Sequence, residues 1–485
     1  MIGGGAIGAA TAWAAARAGA TVAVVDRGDI AGATSSASSK LLHGGLRYLA
    51  MGDIGLVREA HHERRVNARI VAPHLVWPLP FLVPVGPDAP VPLWKVRAGV
   101  WLYGALARFA DGRSGRVPVA EARRRAPGLR HERLNGAVLY HDHQTNDGRL
   151  TLAALQGAAA HGAVVAPHVE ALALRMAGGR VRGADLIDRL SGATLAVTAG
   201  SVVNAAGPWV DEVRRLESPQ AGTTVRLSKG AHVLLDAPDG WSAAVTTPLP
   251  GGRVSFAIPW EGMLLLGTTD EPYEGDPAAV IAGEEDERQI LEEAGRSLAS
   301  EVVAPGRVRS RFAGLRVLPV AGGATATARR ETVLHTGPGG MVSVAGGKLT
   351  TWRAIGARAA TAALTGTGAR IPRDPHQVPG AAPAEQVERR IAAEWPELEP
   401  DIRRSLARHY GLGALPALEP ARERPELLGR IHPRGPDIWA LVVHAAQREW
   451  AATPDDVLRG RLTVALRGHG TAEVTATVAR MLEDI

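Results

Sequence analysis

Apolar and polar positions alternate between two periods along this chain. The run Thr21-Val22-Ala23-Val24-Val25-Asp26 reads as a buried parallel strand, and the small-residue stretch beginning near Gly5 reads as the helix before it. Ile54 to Ile70 reads as an amphipathic helix with Arg58, Glu59, Glu63, Arg64 and Arg65 exposed. The proline-rich residues 73–93 break this pattern. Leu150 to Ala160 is a second helical stretch, and Gly162 with Ala163-Val164-Val165 repeats the order of helix and parallel strand. Thr194 to Val203 reads as one strand ending in Asn204-Ala205-Ala206-Gly207-Pro208-Trp209, where small residues let the chain pass close to a ligand. Arg253 to Pro259 and Met263 to Thr269, joined at Trp260-Glu261-Gly262, predict an antiparallel hairpin in a different sheet. Met341 to Val344 is a short strand entering Ala345 to Thr351, followed by a helix from Trp352 to Ala363. Residues 366–385 read as a linker, and 386–485 read as mostly helical with no glycine-rich or His-carboxylate cluster.

The glycines of Ile2-Gly3-Gly4-Gly5-Ala6-Ile7-Gly8 let a pyrophosphate approach the backbone, where the helix start offers N–H groups and a positive dipole end. Asp26 stands at about the ~20-residue distance at which an acid accepts from a ribose hydroxyl. Together these predict a site for an adenosine diphosphate moiety. Almost all of the strand that should precede Gly3 is missing from the sequence. Either translation starts upstream, or another strand covers the sheet edge and the nucleotide pocket is weakened.

Composition narrows the chemistry. The 485 residues are 46% hydrophobic with 57 Gly and 33 Pro, which suits two or three compact domains. The absence of cysteine excludes disulfides, thiolate zinc sites, iron–sulfur clusters and a cysteine nucleophile, so redox chemistry must rest on an organic cofactor. No apolar run reaches the ~20 residues of a membrane span and no leader precedes the glycine motif, so the expected place is cytoplasmic or peripheral on the inner face of the cytoplasmic membrane. The net charge of +6 arises from scattered basic residues interleaved with 49 acids, which argues against nucleic acid. Of 55 basic residues only Lys40, Lys95, Lys229 and Lys348 are lysines, and three of these lie in glycine- or serine-rich segments.

The segments TSSASSKLLHGGLRYL (34–49), VNAAGPWV (203–210), SKGAHVLL (228–235), FAIPW (256–260) with GTTD (267–270), GLR (314–316) and AGGKLTTWR (345–353) occur in this order. In them the chain resembles the FAD-dependent glycerol-3-phosphate dehydrogenases, over roughly residues 2–360, with a helical tail consistent with that family. The resemblance implies an α/β fold with a Rossmann-like FAD-binding domain (about 1–75, 145–215 and 305–365), an antiparallel-sheet substrate domain (about 76–144 and 216–304), a linker at 366–385 and a C-terminal helical domain at 386–485. The implied reaction is oxidation of sn-glycerol 3-phosphate to dihydroxyacetone phosphate by hydride transfer to FAD, with electrons passed to a quinone. A homodimer and contact with a membrane surface are further implications.

By this resemblance Gly3, Gly5, Ala6, Ile7 and Gly8 hold the FAD pyrophosphate, and Asp26 with Arg27 holds the adenosine ribose. Thr34, Ser35, Ser38, Ser39, Lys40, Leu42, His43, Gly44 and Gly45 line the flavin and its phosphates, with Ala206, Gly207 and Trp209 nearby. Gly346, Gly347, Lys348, Leu349 and Thr350 face the pyrimidine edge of the flavin, where a helix N-terminus and an ammonium stabilise the negative charge of the reduced ring and raise its potential. Arg47, Tyr48, Thr269, Arg316, Arg329 and Lys348 are the implied substrate ligands, because guanidinium forks match phosphate oxygens; Arg330 is the alternative to Arg329. Arg47 and Arg316 also enter the catalytic set. Removal of the C2 hydroxyl proton needs a base, for which His43 is the first candidate and His232 the second.

Other readings stay open beside this one. An amine or amino-acid oxidase shares the flavin fold but needs typically one Arg clamp for a carboxylate. A glycerol-phosphate oxidase would use the same residues with oxygen as acceptor. A nucleotide-binding protein with a decayed site is favoured only by the missing strand, and the retained Lys40, His43, Arg47 and Lys348 argue against it. An NAD-dependent enzyme lacks support, since no second dinucleotide fingerprint is present.

Overall fold

The computed structural model describes residues 1–50, 52–86, 91–130, 132, 134–320 and 332–485, without the side chains of Arg47 and Ala50. Val164–Ala166 pairs in parallel with Ala23–Val25, and Val203–Asn204 pairs in parallel with Val342–Ala345, on whose far side Val333–Thr336 runs antiparallel. Ile2 joins these two groups, bridging in parallel to Val25 on one side and to Asn204 on the other. Its place is fixed by Ile2 N–H to Val203 O (2.8 Å), Ala205 N–H to Ile2 O (2.8 Å), Val25 N–H to Met1 O (2.9 Å) and Gly3 N–H to Val25 O (2.8 Å). The expectation that another strand covers this place is therefore corrected: Met1 and Ile2 themselves fill it.

The helix Ala6–Arg17 forms because its dozen residues are mainly alanine, the residue with the least helix cost, and it stops where Gly19 adopts φ +83°. It packs against Asp147–Ala159 and Trp352–Ala363. A Cβ at Gly356 would lie 2.4 Å from the Ala10 Cβ, so the two helices touch through small residues, and Trp13 stacks on Trp352 with ring centroids 6.3 Å apart.

Among the described residues, ten strands form the second large sheet. Its order is Glu271–Tyr273, Val225–Asp236, Met263–Gly267, Val254–Trp260, Ala244–Pro248, Val76–Val85, Gly136–Thr145 and Leu41–Leu42, with Val308–Pro319 also along Val225–Asp236 and Gly115–Val117 on Gly136–Thr145. The hairpin turning at Glu261-Gly262 is present, in antiparallel register Trp260 to Met263.

Three expectations are corrected here. The proline-rich segment is not a break but contains the strand Val76–Val85, paired from Val76↔Thr145 to Val85↔Gly136. Pro78, Pro80 and Pro84 are alternate positions, so their missing N–H groups fall on one side, where the neighbouring strand reaches only Phe81 and Leu82. Thr194 to Val203 is two elements: Thr194–Thr198 joins a three-stranded antiparallel sheet with Val169–Ala177 and Arg180–Asp188, and Val203–Asn204 enters the parallel sheet. Gly200 lies in the turn that separates them. Finally, Val308–Pro319 lies in the ten-stranded sheet rather than with the nucleotide-binding part, because its register along Val225–Asp236 buries Phe312, Ala313 and Leu315.

The C-terminal region packs the helices Ala384–Glu394, Pro400–Tyr410, Ala440–Arg448 and Ala472–Glu483 around its own core of Val387, Ile391, Trp395, Leu406, Leu441 and Val457. It does contain buried His-carboxylate pairs, contrary to expectation: His444 Nε2 is 3.5 Å from Glu449 Oε1, and His409 Nε2 is 2.9 Å from Glu261 Oε1 in the hairpin turn. Arg149 joins Glu449 at 2.8 Å across the same boundary. His409 and Glu261 are 148 residues apart and Arg149 and Glu449 are 300 apart, so no local pattern announces those two contacts, whereas His444 and Glu449 stand five residues apart at one helix end.

Candidate active site

The first glycine turn is built by exclusion. Gly3 has φ +107°, and a Cβ there would lie 2.4 Å from Ala205 O; a Cβ at Gly8 would lie 1.9 Å from Gly3 O. Gly8 thus holds helix to strand, while Gly3, Gly5, Ala6 and Ile7 line a large cavity. Ala6 N–H donates to Ser35 Oγ at 2.9 Å. Asp26, at the strand end, accepts from Gly4 N–H (2.7 Å) and Gly28 N–H (3.0 Å). Burial pushes its carboxyl up, and the Gly28 and Gly4 N–H groups oppose the rise. The Arg27 guanidinium lies 4.1 Å from the Trp209 ring centroid, and Ala206, Gly207 and Trp209 continue the wall.

The serine-rich segment presents alternate residues. Ser39, Leu41, His43 and Gly45 line the cavity, together with Thr34, Ser35 and Ser38. Thr34 Oγ1 donates to Leu315 O at 2.8 Å and Ser38 Oγ to Asp147 Oδ2 at 2.6 Å. Lys40, Leu42 and Gly44 point elsewhere, a correction with a physical cause for each. Lys40 is 1% exposed, and its Nζ meets Asp147 Oδ1 at 2.6 Å and Ser36 O at 2.5 Å. Leu42 is in the core with Val76 and Leu150. Gly44 N–H donates to Asp142 Oδ1 at 3.0 Å, and its Cα abuts His61 and Tyr103.

At the other end of the cavity the second glycine turn, Gly346 to Thr350, forms one wall. Gly346 (φ +77°) and Gly347 (φ +108°) carry the strand into the helix. Lys348 Nζ sits 3.6 Å from the Tyr48 ring centroid. His43 is gripped through its main chain, its N–H donating to Thr350 Oγ1 (3.2 Å) and its C=O accepting from the same hydroxyl (3.1 Å). His232 Nε2 lies 2.9 Å from Ser39 Oγ, with the ring stacked on Phe312. Burial lowers its pKa to about 3, helped by Arg316 and Lys40, so the imidazole is neutral at pH 7.

Arg316 lines the cavity, but its terminal nitrogens reach protein acceptors: Thr268 Oγ1 and Thr269 O at 2.9 Å, Lys229 O at 3.1 Å and Asp270 Oδ1 at 3.3 Å. Thr269 is corrected as a ligand, because it is fully buried and its Oγ1 accepts from Ala231 N–H at 2.9 Å; Thr268 and Asp270 on either side line the cavity instead. The Arg47 side chain, Arg329 and Arg330 lie outside the described residues.

Sequence reasoning missed Asp142. It lies on the cavity wall, accepts from Tyr103 Oη (2.8 Å) and Gly44 N–H, and forms a buried ion pair with Arg64, which also meets Asp111. Arg64 and Glu63 are thus corrected from exposed to buried, Arg64 by these two carboxylates and Glu63 by Arg353 at 2.7 Å. The signal was available in Tyr140-His141-Asp142-His143, four polar-capable side chains in one strand.

The cavity is continuous, about 1820 Å³, and runs from Asp26 and Glu170 past both glycine turns to Val96, Gly99 and Leu102. It exceeds the ~300–1,000 Å³ usual for one small ligand. A glycine cradle at a helix start at one end, and a second glycine turn with an ammonium at the other, fit an extended dinucleotide such as FAD with space for a small substrate.

Comparison with known proteins gives a consistent picture. Residues 1–353 match the model of the FAD dependent oxidoreductase family, and residues 374–485 match the C-terminal domain of alpha-glycerophosphate oxidase. The chain is 35% identical over 505 residues to a glycerol-3-phosphate dehydrogenase of Mycobacterium leprae, covering 99% of this chain and 84% of that one. The fold is similar to the glycerol-3-phosphate dehydrogenase of Bacillus halodurans complexed with FAD, with TM-score 0.75 and 26% identity, covering 100% of this chain and 93% of that one. It is also similar to the FAD-bound L-alpha-glycerophosphate oxidase of Mycoplasma pneumoniae (TM-score 0.60, 15% identity, 78% of this chain and 97% of that one), a likeness of fold alone.

Proposed function

As the chain belongs to the FAD-dependent oxidoreductase family, we propose that it oxidises sn-glycerol 3-phosphate to dihydroxyacetone phosphate and passes the electrons to a quinone. The observation that carries this reading is the single cavity joining the Gly3–Gly5 turn to His43, His232, Arg316 and Lys348. FAD, when bound, supplies the oxidant that takes a hydride from the carbinol carbon.

The chain's own groups do the rest. Lys348 and Arg316 bring positive charge to the substrate end, and Asp270 beside Arg316 offsets part of it. Arg47 and Arg329 belong to the same proposed set of phosphate ligands. His43 takes the hydroxyl proton, its main chain fixed by Thr350 so that the imidazole stays on the cavity wall. His232 is the weaker candidate, since Ser39 already occupies its Nε2 and Phe312 covers its ring; its part is to orient Ser39.

The acceptor reading draws on the helix Leu93–Leu106. Trp94 (71% exposed) and Trp101 (59%) stand out on it beside the exposed Lys95 and Arg97, while Val96, Gly99 and Leu102 line the end of the cavity. Aromatic and basic side chains on one helix suit a membrane interface, where a quinone is dissolved. Among the described residues, no helix is long and apolar enough to cross a membrane. Oxygen is the alternative acceptor, favoured by the oxidase-type C-terminal match.

The test is anaerobic addition of sn-glycerol 3-phosphate to the purified yellow protein. Bleaching of the flavin bands supports the reading; bleaching by amino acids but not by this substrate overturns it. Stopped-flow reoxidation then separates the acceptors: faster recovery with a quinone analogue than with air supports the quinone, and the reverse supports the oxidase.

A further inference from the structure

The nucleotide end of the cavity has an unexpected wall. Thr453, Asp455, Asp456, Arg459 and Gly460, all from the C-terminal region, line it opposite the segment that follows Asp26. Two contacts dock them there. Arg461 donates to both oxygens of Asp29 at 2.7 Å, and His168 Nε2 lies 2.9 Å from Asp456 Oδ2. Asp29 and His168 belong to the nucleotide-binding side: His168 N–H donates to Gly28 O at 2.9 Å and Val169 N–H to Asp26 O at 2.7 Å. The approach is close enough that a Cβ at Gly460 would lie 2.3 Å from Asp29 Oδ2.

Ligand atoms of Asp29, His168 and Asp456 lie within 4.8 Å of one another, the spacing of a metal site. Their bonding is that of a latch. Arg461 takes both oxygens of Asp29, and Asp456 Oδ2 also accepts from Ala452 N–H (2.9 Å) and Thr453 N–H (2.8 Å). A bidentate guanidinium pair fixes orientation as well as distance, which a single point charge would not.

We propose that the C-terminal domain is part of the cofactor site: residues 453–460 wall the subsite for the adenylate half of FAD, and the Asp29–Arg461 and His168–Asp456 contacts hold that wall in place. Arg459, exposed at the rim, brings a flat guanidinium that suits the face of a purine. Cofactor retention and domain docking are then coupled, and the coupling is reciprocal: FAD strengthens docking by the factor by which docking strengthens FAD binding. The proposal rests on FAD occupying this cavity.

The experiment compares holoenzyme with Arg459→Ala, Gly460→Ala and Arg461→Met, following release of FAD by its fluorescence after dilution and binding of FMN, which lacks the adenylate half, by exchange. Release of FAD should rise by at least about fivefold in each variant, at the low end of known couplings, with FMN affinity unchanged. FAD should also slow tryptic cleavage at Arg370 and Arg373, which lie in the exposed stretch before the domain, and the variants should lose this protection. Unchanged FAD release in Arg459→Ala and Gly460→Ala, or equal weakening of FAD and FMN, overturns the proposal. If Arg461→Met does not fold, Arg459→Ala still decides, since that side chain is exposed. Wild-type protein without any flavin would overturn the cofactor assignment and this proposal together, whereas flavin-loaded protein with inert variants overturns this proposal alone.

Discussion

Lys40 and Lys348 lie in segments of similar make-up, one rich in serine and the other in glycine, and both segments border the same cavity. Lys40 is folded inward, 1% exposed, with its ammonium on the carboxylate of Asp147 and the carbonyl of Ser36. Lys348 is carried by two left-handed glycines onto the cavity wall, with its ammonium over the ring of Tyr48. A carboxylate partner cancels formal charge and ties the lysine to the integrity of the fold. An aromatic face attracts a cation through its quadrupole and contributes no formal charge. Membership of a motif does not distinguish these cases; the partner does.

The comparison breaks most visibly at Lys40. Lys40→Met strands a buried carboxylate and should cost about 3–5 kcal/mol of stability, measured by thermal or urea unfolding, with kcat of the folded fraction unchanged. A Lys40→Met/Asp147→Leu pair should recover much of that loss. If kcat falls and stability does not, Lys40 serves the cofactor and the contrast is wrong. Lys348→Met should do the opposite, lowering kcat by about 10²–10³ and the flavin potential with it, while the melting temperature stays put; steady-state kinetics and a redox titration report both.

The response to acid sharpens the picture for other buried groups. Burial holds His232, and with it His61, His74 and His143, at a pKa of about 3. Their unfolded counterparts bind protons near pH 6.5, so the unfolded state gains protons first as the medium is acidified. Stability should be full above about pH 6.5 and fall towards pH 3, with at most about 1.4 kcal/mol per pH unit from each histidine. Melts between pH 4 and 7 measure the slope, and His232→Gln should remove one histidine's share. The smallest effect is at Thr269: Thr269→Val leaves Ala231 N–H without its acceptor and should cost about 1–3 kcal/mol in unfolding free energy, with KM for the substrate unchanged. A raised KM would return Thr269 to the substrate set.

What could be read from the sequence divides along the same line. The glycine turns, the Ala23–Val25 strand and the hairpin at Glu261 are encoded in residues that adjoin, because backbone conformation depends on near neighbours. The partner of Lys40 is 107 residues away and the partner of Asp29 is 432 away, so neither leaves a local trace. Thr269 carries a motif residue's identity but faces inward, since successive side chains alternate and its neighbours Thr268 and Asp270 take the cavity side. Pro78, Pro80 and Pro84 gave a false signal for a different reason: their cost depends on whether a neighbouring strand asks for their N–H groups, which only the sheet order decides.

The parallel sheet gathers Ile2, Ala23–Val25, Val164–Ala166, Val203–Asn204 and Val342–Ala345, and its first helix rests on Trp352–Ala363. On the ribosome these pieces emerge in that order, at about 5–20 residues per second. The helix Ala6–Arg17 therefore meets Asp147–Ala159, with Gly157 against Trp13, well before Trp352–Ala363 arrives some tens of seconds after Trp13 itself is made. The side of that helix that rests on Trp352 and Gly356 is thus the last part of the parallel-sheet core to close during synthesis.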